Sequence, residues 1–128
     1  MTISRVVLAI TLVVVAGFGS GCNILGPSAC TLLPCTGLVV EVTGAPDLTP
    51  VTVVLTAPDG STRSETCTGA TGTCPVSFHD FTPASVTIRV LAGTQITEET
   101  RQPMYEVTRP NGSGCPPVCR NARVTVAL

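Results

Sequence analysis

VTIRVLAGT, Val86 to Thr94, is the stretch that decides the fold. Val86, Ile88 and Val90 alternate with Thr87 and Arg89, the period-two pattern of a strand with one face in a core. A helix would group its apolar residues at spacings of three and four instead. Ala92, Gly93 and Thr94 then form a hairpin-like turn. Outward from this strand the same signature recurs. Upstream lie Leu38 to Thr43, then Val51 to Ala57 with Val51, Val53 and Leu55 on one face. Pro58-Asp59-Gly60 is a turn, with proline presetting φ and glycine accepting a left-handed position. Ser61 to Cys67 alternates among polar residues and suits an edge strand, open to pairing with a further strand. In Cys74 to His79, Val76 and Phe78 face inward and Ser77 and His79 outward. Downstream, Gln95 to Arg101 and Met104 to Arg109 read as two weaker strands, or as one strand kinked near Pro103. Arg123 to Leu128 closes the chain with Val124, Val126 and Leu128 on one face.

No window has the pattern of a helix of ordinary length, and the many valines and threonines favour extended backbone. The expectation is an all-β sandwich of about seven short strands, preferred over a small barrel because Greek-key connections tolerate the uneven loops.

The N-terminus points to export. Arg5 precedes the uncharged run Val6 to Ala16, which breaks into Gly17, Gly19, Ser20 and Gly21. Positive, apolar and small-residue segments in that order are those of a bacterial export signal. A permanent membrane helix needs about 20 apolar residues, more than this run provides. The segment ending at Cys22 resembles the lipobox of bacterial lipoproteins. In those proteins a diacylglyceryl group is attached to a cysteine that becomes the new N-terminus. Ser20 and Gly21 match its two small positions, while Gly19 stands where leucine is usual. The resemblance implies residues 1–21 as signal peptide and Cys22 as lipidation site. Residues 22–36 then form a lipid-anchored tether and lead-in, and 37–128 the β-domain. Two acyl chains hold a protein at a membrane where one does not. Asn23 is not the aspartate associated with inner-membrane retention in such proteins, which favours an outer membrane where one exists.

Cysteine counting supports this reading. The chain has seven cysteines. Assigning Cys22 to lipid leaves Cys30, Cys35, Cys67, Cys74, Cys115 and Cys119, an even set fit for disulfides in an exported domain. Cys67 and Cys74 are expected to pair across a short hairpin. The other four either close two local loops or cross-link the two ends of the domain, and both pairings remain open. Cross-linking constrains far more of the unfolded chain. Four thiolates around zinc is the competing chemistry, but oxidation in an exporting compartment outweighs it.

Composition restricts function. Of the seven cationic residues Arg5 belongs to the leader, and eight acidic residues make the remainder slightly negative. Without lysine or a basic stripe there is no nucleic-acid footprint. His79 is the one histidine and adjoins Asp80, but neighbours on a strand point to opposite faces, so they do not make a catalytic pair. Glu41, Asp47, Asp59, Glu65, Glu98, Glu99 and Glu106 are scattered, with neither the calcium-loop nor the glycosidase pattern. No phosphate-binding loop or nucleophile elbow is present. The expectation is a protein without catalytic residues or cofactors.

Two stretches, VTVVLTAPDG (Val51 to Gly60) and FHDFTPASVTIRV (Phe78 to Val90), resemble the immunoglobulin-like and prealbumin-like modules of bacterial envelope proteins, including carboxypeptidase-regulatory-like domains. RPNGSGCPPVC (Arg109 to Cys119) and the closing ARVTVAL are similar to short cysteine-rich bacterial lipoproteins. The cysteines depart from the ordinary regulatory-like module. The resemblance implies a non-catalytic binding or structural module of the cell envelope, anchored in membrane lipid through Cys22, with an envelope protein or glycan as partner. The alternative is a secreted or periplasmic carbohydrate- or protein-binding domain without the anchor.

Overall fold

The computed structural model describes residues 30–69 and 72–128. The leader, Cys22 and the start of the tether lie outside the described residues. Eight strands are present: β1 (Leu38–Thr43), β2 (Pro50–Thr56), β3 (Thr62–Thr68), β4 (Thr73–Phe78), β5 (Val86–Ala92), β6 (Gln95–Arg101), β7 (Glu106–Thr108) and β8 (Cys119–Ala127). They form two four-stranded sheets, ordered β4-β1-β8-β7 and β3-β2-β5-β6. All pairings are antiparallel except β1 with β8, which run side by side in the same direction.

Alternation fixes which faces meet. Leu38, Val40 and Val42 of β1, with Val76 and Phe78 of β4 and Val126 of β8, are buried on one sheet. Val51, Val53 and Leu55 of β2, with Val86, Ile88, Val90 and Ala92 of β5, are buried on the other. These side chains make one cluster, and each fully buried valine, leucine or isoleucine contributes roughly 1.5–3 kcal/mol over leaving it in water. The central strands therefore carry the core. The polar β3 lies at a sheet edge, as its sequence indicates.

Of the two readings of Gln95 to Arg109 the two-strand one is observed, and two other local readings differ from the structure. The residues between Gln95 and Arg109 make two strands, and those strands belong to different sheets. Pro103, buried and lacking an N–H, sits in the crossing where no ladder can continue. The last strand starts at Cys119 rather than Arg123, because Cys119, Arg120 and Asn121 pair with Thr108, Val107 and Glu106. That extension is polar and has no apolar periodicity to signal it. The segment between Cys67 and Cys74 is not a hairpin either, since β3 and β4 are edge strands of opposite sheets. Their disulfide, with Cα atoms 6.0 Å apart, joins the two sheets along that side.

Gly37 at the start of β1 is required by its surroundings. Its φ is +70°, and a Cβ there would run into the Phe78 carbonyl oxygen. Only glycine accepts both conditions.

Candidate functional site

The start of β1, the start of β8 and the end of β4 lie at one pole of the sandwich, because β1 is parallel to β8 and antiparallel to β4. Chemistry-bearing residues concentrate here. The arm Cys30 to Gly37 runs in beside the loop Arg109 to Val118, and two disulfides fasten them together. Cys30 pairs with Cys115 at a Cα separation of 5.6 Å, and Cys35 with Cys119 at 5.2 Å. Of the two pairings left open by the sequence, the cross-linked one is observed. All six described cysteines are thus in disulfides, so these thiolates do not surround a metal.

Asparagines complete the fastening. Asn111 is buried, and its side chain makes four hydrogen bonds. Its Oδ1 accepts from the Thr31 hydroxyl at 2.7 Å and the Leu33 N–H at 2.8 Å. Its Nδ2 donates to the carbonyls of Leu33 at 3.1 Å and Pro116 at 2.8 Å. A planar amide with donors on one atom and an acceptor on the other suits an arm that presents both an N–H and a C=O. Asn121 does the same one step further along. Its Oδ1 accepts from the Thr36 hydroxyl and the Gly37 N–H, and its Nδ2 donates to the Thr108 hydroxyl. His79 adds a third contact, its Nδ1–H donating to the Cys35 carbonyl at 2.7 Å. A carbonyl can only accept, which fixes that ring nitrogen as the protonated one.

His79 is exposed beside a turn, as its sequence position indicates, and its ring is engaged by the arm rather than by Asp80. Asp80 itself has φ 56°, an unusual value for a residue with a side chain. The acidic residues are dispersed. Glu41 pairs with Arg123 at 2.6 Å on the outer face of their sheet, and Glu99 with Arg101 at 2.9 Å on β6. Glu98 is 4.0 Å from Arg89. Asp59 caps its own turn: the Ser61 hydroxyl and then the Ser61 N–H hold its carboxyl below the usual value. These are surface pairs of small energetic weight. Among the described residues no three His, Cys, Asp or Glu side chains are grouped to hold a metal ion.

Two shallow depressions flank the fastened region. The larger, about 390 Å³, is lined by Thr36, Val39, Met104, Glu106, Asn121, Ala122 and Arg123. The smaller, about 210 Å³, lies between Cys35, Gly37, Asp80, Thr82, Val118 and Arg120. At its edge Arg120 stacks 5.0 Å from the centre of the Tyr105 ring. The Tyr105 hydroxyl donates to the Pro83 carbonyl at 2.9 Å. Burial pushes its pKa above the ordinary phenol value, with the Arg120 charge acting the other way. Apolar side chains of the arm and of the bridged loop stand in water: Leu32 is 95 % exposed, Leu33 54 %, and Val118 of the loop 51 %.

The sequence marks the cysteines and His79 but gives no sign of Asn111 or Asn121. Asn111 sits in Pro110-Asn111-Gly112, which reads as an ordinary turn. Three of its four hydrogen bonds reach residues 78 to 80 positions away, so no local pattern could reveal them. No protein-family model, curated protein or solved structure matches the chain.

Proposed function

We propose that the chain is a non-catalytic lipoprotein of the bacterial cell envelope, cleaved after residue 21 and held to the membrane through lipid on Cys22. Residues 22–36 are its tether and lead-in, and residues 37–128 a binding or structural module displayed from the surface. The observation that carries this reading is the cysteine balance. The six described cysteines pair with one another in three bridges, so none of those six is a partner for Cys22. A bridge between the lead-in and the last loop suits a protein whose pull comes from its N-terminus. Load arriving at residue 30 passes directly to the loop before the last strand. The anchor residue itself is assigned from the sequence alone.

Within this reading the module is prealbumin-like rather than immunoglobulin-like. An immunoglobulin sandwich keeps its first two strands in one sheet. Here β1 and β2 lie in opposite sheets, and β1 pairs with β4 and β8. Asn23 favours an outer membrane where the organism has one. An envelope protein or glycan is the partner class, and its site is the surface that the anchor leaves free.

The test is the intact mass of the protein extracted from its native envelope, before and after reduction. The reading expects a chain beginning at Cys22, with acyl mass and two hydrogens gained per disulfide for three disulfides. A chain cleaved elsewhere and free of acyl mass would make the protein secreted or periplasmic and end the anchor assignment.

A further inference from the structure

We propose that the fastened pole of the domain is a membrane-docking face, on which Leu32, Leu33 and Val118 enter the headgroup boundary of the bilayer that holds Cys22. The proposal rests on the anchor reading given above and adds an orientation to it. Tether length keeps this pole at the membrane. Cys30 is eight residues past Cys22, a fully extended span of at most about 28 Å. The arm therefore stays near the surface in which the acyl chains sit, and its pole is the part of the domain nearest to it.

Charge distribution favours the same face. From Cys22 through Val40 there is no charged residue and no histidine, and from Pro110 through Cys119 there is none either. These two uncharged segments are the ones that the disulfides join. Arg109 and Arg120 flank the second segment, and both are exposed. An apolar surface bordered by cations matches a headgroup layer, where apolar side chains enter and guanidinium groups meet phosphate. Asp80, beside Val118 and Arg120, marks where this surface ends on the β4 side.

The backbone of the arm is also suited to entry. A chain segment enters the bilayer boundary at lower cost when its N–H and C=O groups are already paired. Leu33 meets that condition while its side chain projects into water, because Asn111 accepts from its N–H and donates to its C=O. Leu33 is thus presented on a fixed backbone, with Leu32 next to it in the chain, so insertion there costs little ordering.

The sequence contains no tryptophan, which makes a single reporter available. Leu32→Trp places it on the docking face. Leu48→Trp places it in the loop after β1, at the opposite pole, on a residue that is also strongly exposed. Each full lipidated chain is reconstituted on phosphatidylethanolamine and phosphatidylglycerol vesicles with acyl chains brominated near the glycerol end. L32W is expected to shift its emission to the blue and lose about half its intensity to bromine, as burial at the acyl boundary requires. L48W should do neither. Flotation of the protein with the vesicles but no quenching of L32W overturns docking and leaves the anchor standing. A blue shift without bromine quenching also overturns it, because a protein then covers Leu32. Equal quenching in both variants would mean adsorption without orientation, which is equally fatal. A chain that neither floats nor carries acyl mass removes the anchor, and the docking face with it.

Discussion

The two bridges at the fastened pole should stabilise the domain as a coupled pair, and the size of the coupling follows from chain geometry. Cys30 and Cys115 are 85 residues apart, Cys35 and Cys119 84. In the chain-entropy description, closing one loop of that length destabilises the unfolded state by about 4.6 kcal/mol. Once either bridge exists, the other closes only the ring made by residues 30–35 and 115–119. A ring of about 11 residues is worth about 2.8 kcal/mol. Removing one bridge should therefore cost only the small-ring amount, because the survivor still closes the long loop. Removing both costs the small ring and the long loop together, about 7 kcal/mol. Cys119 is 1 % exposed, so Cys35→Ala with Cys119→Ala loses about 1 kcal/mol more to a cavity.

Guanidinium unfolding of the wild type, the two double variants and the quadruple variant measures these terms through their midpoints. The expected coupling between the bridges is about 2 kcal/mol, the long-loop contribution less the small-ring one. Because small domains have only about 5–15 kcal/mol in total, a quadruple variant already unfolded in buffer also agrees with the estimate. A quadruple variant that stays folded, with a loss equal to the sum of the two double variants, would refute the reasoning. Local pairs, Cys30 with Cys35 and Cys115 with Cys119, would instead lose both bridges in either double variant, about 4 kcal/mol, with no further bridge left for the quadruple variant to lose. Peptide mapping of the wild type under non-reducing conditions reports the pairing independently.

Other residues give sharper local tests. Asn111→Ala strips partners from the Leu33 N–H and two carbonyls at a part-buried site, and should cost about 2–3 kcal/mol by the same denaturation assay. Ile88→Ala, fully buried in β5, should cost about 4 kcal/mol, whereas Ile96→Ala, 57 % exposed on β6, should cost under about 1 kcal/mol. Gly37→Ala adds a left-handed φ penalty to a clash with the Phe78 carbonyl, and should cost about 3 kcal/mol or prevent folding, seen as lost near-ultraviolet circular dichroism. Tyr105 makes the alkaline limb a titration of one residue, since the chain has one tyrosine and no lysine. Its raised folded value means that the native state keeps the phenol proton longer. The stabilisation is full below the unfolded value of about 10 and is lost as pH rises through the folded one. Tyr105→Phe should flatten this limb of stability against pH, and a limb unchanged by that substitution would count against the assignment.

What the sequence revealed and what it hid divide along one physical line. Val86, Ile88 and Val90 announce β5 because side-chain alternation is a local consequence of strand geometry and burial on one face. The same holds for β2 and for the inner face of β1. Segments with little to bury have little pattern: the edge strand β7 shrinks to three residues, and the first residues of β8, which pair with it, lack apolar alternation. Pairing across the chain is a different kind of information. Nothing near Cys30 distinguishes Cys35 from Cys115 as its partner, and entropy favours the distant one only if the fold first brings it near. The fold does so through β1 and β8, whose parallel pairing sets the arm beside the last loop. That pairing comes from two ordinary apolar alternations meeting in one core, so the disulfides secure a juxtaposition that burial has already made. The asparagines follow by the same logic. Once the arm lies beside the loop, its backbone N–H and C=O groups leave water and need partners, and Asn111 and Asn121 occupy the two places where one side chain supplies both a donor and an acceptor.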